Sequence, residues 1–295
     1  MSTSASQAGA TRAALAAPPP QLYFLVSAVF HYLGPAFAVL LFARVEVLGV
    51  AFLRVASAAA VFALWRRPWR ALARLGRDER RTLLAWGALL AVMNCCFYLA
   101  IDRLPLGTVA AVEYLPVIVL AVAGARTLRN GLAIALAVPG VWLLTDVRLV
   151  AEPLGVTLAF ANAVLFAGYV VLGHRVARHG QRGGIDGLAA AMLAAAVLVA
   201  PVGGWAALPA FTDPGALAAG VGVGVASSVI PYVFDQLAMA RLPRASYALM
   251  VSLLPATATV VGVLVLAQVP SPAEAAGVAL VVAGVALHRP QAAAG

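Results

Sequence analysis

Three charged side chains stand where their neighbours leave no water to hold them: Arg54, Glu113 and Asp235 each interrupt an otherwise uncharged apolar stretch. In a lipid core an unpaired charge costs at least about 2.5 to 3.5 kcal/mol, so each must turn to the protein interior and seek a partner. Arg54 lies eight residues from one end of its apolar run and Glu113 seven from the corresponding end of its own. At 1.5 Å per residue, both sit roughly 10 to 12 Å below the same surface. Three uses of such a pair stay open. It is a structural ion pair, or it binds a zwitterion, the guanidinium taking a carboxylate and Glu113 an ammonium, or a carboxylate carries a coupling proton. Asp235, four residues from the other end of its run, reads as an interfacial carboxylate meeting water or Arg241, or as a gate or proton site.

Other polar groups recur at helical spacing around these charges. Ser27 and His31 are four apart, as are Asn94 and Tyr98, and Asn162, Phe166 and Tyr169 follow one helix face. The stretch SSVIPYVFDQLAMARLP, 227 to 243, places Ser227, Ser228, Pro231 and Tyr232 ahead of Asp235. Pro231 removes one backbone hydrogen bond and frees a carbonyl, which a membrane tolerates only where serine, water or a ligand satisfies it. Each strip is either a helix-packing contact or one wall of a shared cavity. On the cavity reading the substrate contacts are Arg54, Glu113, Asn94, Tyr98, His31, Asn162, Tyr169 and Tyr232, with Glu113 and Asp235 as coupling or gating carboxylates. Pro35, Pro116, Pro231 and Pro255 are the expected helix breaks, and Pro139 and Pro201 interrupt further helices.

The elements that must carry these residues follow from composition. With 63% hydrophobic and 11% charged residues, the chain has lipid as its solvent. Apolar runs long enough to cross a core of about 30 Å lie near 21–42, 46–65, 82–101, 106–125, 131–146, 154–173, 186–208, 215–239, 245–267 and 272–288. The expected fold is an all-α membrane protein of ten transmembrane helices. The net charge of +9 does not point to nucleic acid, because the arginines alternate from loop to loop. With the N-terminus inside, all but Arg44, Arg54, Arg103 and Arg148 fall on the cytoplasmic side, as the positive-inside rule requires. Both termini are therefore expected in the cytoplasm.

The chain contains no lysine, which excludes a phosphate-binding P-loop and a lysine Schiff base. Cys95 and Cys96 are adjacent and read as small core residues. No cofactor or metal is expected. The partners are a small-molecule substrate and membrane lipid, and a monomer suffices.

Two internal alignments divide the chain. AIDRLPLGTVAAVEYLP (100–116) resembles AMARLPRASYALMVSLLP (238–255), and FHYLGPAFAVLLFARV (30–45) aligns with ANAVLFAGYVVLGHRV (161–176), setting His31 over Asn162. The expected organisation is a flexible cytoplasmic tail, 1–20, a five-helix repeat, 21–150, a second, 151–288, and a C-terminal tail, 289–295. Five is odd, so the second repeat enters the membrane inverted, and transporters so built hold substrate near the midplane. Small residues recur every four positions at Gly155, Ala159, Ala163 and Ala167, at Gly220 and Gly224, and at Ala275, Ala279 and Ala283. That spacing permits close helix contact.

From about 25 to 288 the chain resembles the drug/metabolite transporter superfamily, within it the EamA family, and most closely the threonine/homoserine exporter branch. The resemblance rests on S-S-x-x-P-Y-x-x-[DE]-x-x-A-x-x-R-L-P at 227–243, G-x-x-x-L-R at Gly49 to Arg54, P-L-G-x-x-x-A-x-E-[FY] at Pro105 to Tyr114 and Y-x-x-x-G-x-R at Tyr169 to Arg175. Leu254 and Ala267-Gln268 depart from the Glu and Gly-Glu usual there. The resemblance implies export of small metabolites across the bacterial inner membrane, often proton-coupled. Its rivals are export of drugs or other metabolites within the superfamily and, from another class, an intramembrane hydrolase using Ser227 or Ser228 with His31.

Overall fold

The computed structural model describes residues 19–116, 127–179, 183–239, 241, 250 and 253–287. Every regular element among them is helical. The principal helices are α1 Pro20–Leu41, α2 Val47–Arg66, α3 Arg77–Ile101, α4 Leu106–Glu113, α5 Leu128–Ala151, α6 Pro153–His179 and α7 Gly183–Val199, which runs on through a π-helical turn at Ala200–Gly204. Next, α8 spans 214–239 in three pieces, Pro214–Gly224, a π-helical turn Val225–Val229 and Ile230–Met239; α9 is Leu254–Leu266 and α10 Pro272–Leu287. Short helices at Pro68–Arg74 and Leu208–Thr212 join α2 to α3 and α7 to α8. Among the described residues five helices are long and apolar enough to cross a membrane, and Leu128–Leu144, Pro153–Tyr169, Leu254–Leu266 and Pro272–Leu287 are shorter apolar helical stretches.

Local chemistry explains where several helices begin. Asp213 Oδ1 accepts from the N–H groups of Gly215 and Ala216 at 3.0 and 3.1 Å, with Pro214 in the first turn, and so starts α8. At α10, Ser271 and Glu274 form a reciprocal capping box. Ala267, just past α9, takes a left-handed φ of 54°, where a side chain is strained.

Helix contacts are close where the residues are smallest. Gly140 of α5 and Gly277 of α10 meet face to face, an added Cβ on either lying under 3 Å from the other's carbonyl oxygen (2.8 and 2.7 Å). Gly155, Ala159 and Ala163 are buried along α6, and Gly220 and Gly224 abut Leu53 and Ser57 of α2, as their spacing suggests. On α10 the expected stripe faces the wrong way. Ala275 and Ala279 are exposed, and Gly277 and Gly284, seven residues apart on the opposite face, make the contact. Leu64, Trp205 and Leu264 point outward from the bundle, as lipid-facing side chains do.

The expected helix breaks fare differently. Pro231 follows the π-helical turn of α8 directly, and Pro255 stands in the first turn of α9, just after a turn at Leu253. Of the span expected at 106–125, α4 covers Leu106–Glu113, a turn at Tyr114 follows, Leu115 and Pro116 are helical again, and 117–125 lie outside the described residues. Pro35 is a correction, because α1 runs through it unbroken, as α5 does through Pro139. Packing overrides the missing hydrogen bond there, with Gly34 pressed on the backbone of Ser227 and Ala36 and Ala38 fully buried. The tails 1–18 and 288–295, and Leu242 and Pro243 of the second Arg-Leu-Pro, lie outside the described residues.

Candidate functional site

Arg54 of α2 is buried, only 7% exposed, and turns toward α8. Its Nε donates to Ser228 Oγ at 3.1 Å and its second terminal nitrogen to the carbonyl of Ser227 at 3.4 Å. The second contact follows from sequence. Pro231 has no N–H to offer the carbonyl four residues back, which is that of Ser227, and the guanidinium takes it instead. Tyr98 of α3 lies beneath the guanidinium, its ring centre 5.3 Å from the central carbon, in cation–π range. Ser27 of α1 adds a further cross-link, donating to the carbonyl of Pro231 at 3.1 Å.

Glu113, equally buried, ends the helical part of α4, and its Oε1 accepts from Asn162 Nδ2 of α6 at 3.1 Å. The ion pair suggested by equal depth does not form. Ion pairs do form elsewhere, at Arg44–Asp213, Arg66–Asp186, Arg81–Asp78 and Arg103–Asp102, whereas Arg54 and Glu113 are held by neutral partners. Charge-to-neutral hydrogen bonds of this kind spare both ions the full desolvation penalty without fusing them into a salt bridge.

Around the two charges, several polar atoms are shut from solvent without a well-formed hydrogen bond: the hydroxyls of Tyr32, Tyr98 and Ser227, and Oδ1 of Asn162. Tyr98 lies close to Ser227, and Tyr32 to Tyr114, without closing such a bond. Buried polar atoms are nearly always satisfied, so this cluster marks the least satisfied part of the interior. His31 packs edge-on to Tyr32, and Tyr169 stacks on Trp86 and Phe166 and comes within hydrogen-bonding reach of Tyr232. Asn94 is buried but spends its Nδ2 on its own helix, at Leu90. Asp235 is half-buried on α8.

The nucleophile–base geometry of a serine hydrolase is absent from this group. Ser228 Oγ is engaged by Arg54, and no hydrogen bond joins His31 to either serine. Sequence reasoning missed Tyr32, Tyr114 and the role of Ser227 as a backbone acceptor. Subtracting four from Pro231 would have identified the last.

A separate cleft of about 270 Å³ opens between α4, α5, α9 and α10, lined among others by Thr108, Thr259, Gln268 and Glu274.

Two buried charges held by neutral partners inside an apolar helix bundle mark a functional site in a membrane protein. Residues 153–288 match the EamA-like transporter family. The chain is 31% identical over 253 residues to the threonine/homoserine exporter RhtA of Salmonella typhimurium, covering 84% of each. It is 30% identical over 268 residues to the RhtA of Escherichia coli K12, covering 90% of this chain and 89% of the relative. A solved crystal structure superposes with a TM-score of 0.59 at 21% identity, covering 90% of this chain and 96% of the other, a likeness of fold alone. The chain belongs to the EamA-like transporter family. It is a multi-pass membrane exporter and not an enzyme.

Proposed function

We propose that the chain exports a small polar metabolite, an amino acid such as threonine or homoserine, from the cytoplasm across the bacterial inner membrane by alternating access. The observation that carries this reading is the pairing of a buried cation and a buried carboxylate with neutral partners only, so that both keep hydrogen-bonding capacity for a zwitterion. Arg54 takes the substrate carboxylate over Tyr98, and Glu113 takes the ammonium beside Asn162. His31, Asn94, Tyr169 and Tyr232 complete the walls. Glu113, or Asp235 nearer the cytoplasm, carries the coupling proton or acts as the gate.

The helix neighbours support the inverted repeat. Exchange α1 to α5 for α6 to α10 and the contacts map onto one another: α3 with α6 becomes α8 with α1, α3 with α7 becomes α8 with α2, and α4 with α6 becomes α9 with α1. The pairs α2 with α7, α4 with α9 and α5 with α10 map onto themselves. Orientation is supported by the ends of the bundle. Arg44 and Asp213 pair at one end, while Arg66 with Asp186, and Arg129 with the carbonyl of Leu287, join the arginine-rich connections at the other. The arginine-rich end is the cytoplasmic one.

The test is uptake of labelled L-threonine and L-homoserine into inverted membrane vesicles, in which export reads as accumulation. Accumulation above vesicles lacking the protein, lost when the pH gradient is collapsed, is expected. Background uptake of both amino acids, with uptake of a cationic drug instead, contradicts the assignment.

A further inference from the structure

The arginine-rich end of the bundle carries a surface patch that the interior strip does not use. It begins where α2 leaves the apolar core. Leu64 is 83% exposed, Trp65 stacks on Phe62, and the Arg66 guanidinium lies 5.5 Å from the centre of the Trp65 ring. Arg67 then takes a left-handed backbone, φ 50° and ψ 58°, which ends α2, and Pro68 opens the short helix Pro68–Arg74. That helix is fixed on one side. Pro68 is buried, and Leu72 and Leu75 pack on the cluster that contains Phe62, Leu83 and Leu188. Its other side presents Trp69, half exposed like Trp65, and Arg70.

The arginines of this end divide into engaged and free. Arg66 pairs with Asp186 at 2.7 Å and Arg81 with Asp78 at 3.8 Å, while Arg80 donates to the carbonyl of Leu75 at 3.3 Å. Arg129 donates to the carbonyl of Leu287, and Arg241 donates to that of Leu237 and lies over Tyr23. Arg67, Arg70 and Arg77 are exposed, and their side chains make no hydrogen bond or ion pair among the described residues. The chain has no acid in reserve for them. At this end the carboxylates are Asp78 and Asp186, both paired, Glu79, which accepts from the N–H of Gly76, and Asp235, half-buried and already engaged. The segments outside the described residues contain neither Asp nor Glu.

The counter-charge must therefore come from outside the chain, and the indoles say from where. Trp65 and Trp69 alternate with the free Arg67 and Arg70 on a surface that continues from the outward-facing Leu64. Tryptophan collects at the headgroup level of a bilayer, and a guanidinium binds phosphate through two parallel hydrogen bonds. We infer that Trp65, Arg67, Trp69 and Arg70 form a binding site for an anionic phospholipid, with the guanidiniums on its headgroup phosphate and the indoles at the boundary with its acyl chains. Sidedness alone would be served by any arginine of this end; a site needs free arginines beside indoles, on a helix held in place. This inference does not depend on which solute is exported.

The test is native mass spectrometry of the full chain, released from detergent containing dioleoyl phosphatidylglycerol or, at equal concentration, dioleoyl phosphatidylcholine. The wild type is expected to hold its first phosphatidylglycerol roughly tenfold more tightly than its first phosphatidylcholine. Arg67→Gly combined with Arg70→Gln is expected to bring the two lipids to within about twofold; glycine suits the left-handed backbone at 67, so the turn is kept. Arg80→Gln combined with Arg81→Gln removes the same charge from arginines already engaged, and is expected to retain the preference. If the first double variant fails to fold, Arg70→Gln alone is expected to reduce the preference at least about threefold. Equal retention of both lipids by the wild type, an undiminished preference without Arg67 and Arg70, or equal loss in the two double variants would each overturn the site. Displacement of the lipid by an equal concentration of glycerol phosphate would overturn it too, because the patch would then be a site for soluble phosphate.

Discussion

The two halves of the chain contribute unlike parts to the interior strip. Both deep charges, Arg54 and Glu113, come from residues 21–150, whereas the groups that hold them, the Ser227 carbonyl, Ser228 Oγ and Asn162 Nδ2, come from residues 151–288. On the proposed repeat, the helix arrangement is duplicated and the charge is not. The hydrogen bonds that hold Arg54 and Glu113 all cross the seam, as does the one from Ser27 to Pro231. A shift of one half against the other must break or exchange these bonds, which ties the state of the buried charges to the relative position of the halves.

Separating the halves where two glycines meet backbone to backbone should have the largest effect. Gly277→Val drives a side chain against the backbone of Gly140, which cannot yield as a rotamer could. Overpacking of this kind costs about 3 kcal/mol or more, read as loss of the monodisperse peak in detergent. Breaking one charge's hold comes next. Asn162→Leu leaves Glu113 without its donor and is expected to lower stability by about 1 to 3 kcal/mol in thermal unfolding and to slow transport with it. Pro231→Ala sharpens the comparison differently, since it restores an N–H for the Ser227 carbonyl and competes with Arg54 for it. The thermal midpoint should hold or rise while the transport rate falls several-fold, a split that a purely structural role would not give. Smallest is Ala267→Gly, which relieves the left-handed backbone after α9, stabilises by about 1 kcal/mol and leaves transport unchanged.

Much of this was legible in the sequence, for identifiable reasons. Arg54 and Glu113 stood out because a charge in an apolar run has few physical excuses, and Ser-Ser-x-x-Pro-Tyr announced an irregular helix, which appears as the π-helical turn at Val225–Val229. What could not be read was pairing. Equal depth suggested Arg54 with Glu113, but depth is one coordinate, and the rotation of α2 toward α8 and of α4 toward α6 assigns each a neutral partner. Pro35 misled because proline chemistry is local, while the clamp of Gly34 on α8 that keeps α1 straight is tertiary. The α10 stripe failed likewise, because small residues occur on both faces of that helix, Ala275 and Ala279 on one and Gly277 and Gly284 on the other, and only a partner chooses between them. The cleft at Gln268 left no sequence signal, since its polar groups come from segments about 160 residues apart whose meeting only the fold determines.

The central claim is that Arg54 and Glu113 jointly hold the exported solute. The most direct measurement is the initial rate of labelled L-threonine uptake into inverted vesicles containing equal amounts of folded wild type, Arg54→Ala, Glu113→Gln and the double variant. Each single variant is expected to lose roughly tenfold or more, the equivalent of about 1.4 kcal/mol, and the double variant little beyond that because one solute bridges both groups. Rates within twofold of wild type in both single variants, with the proteins folded and inserted, would contradict it.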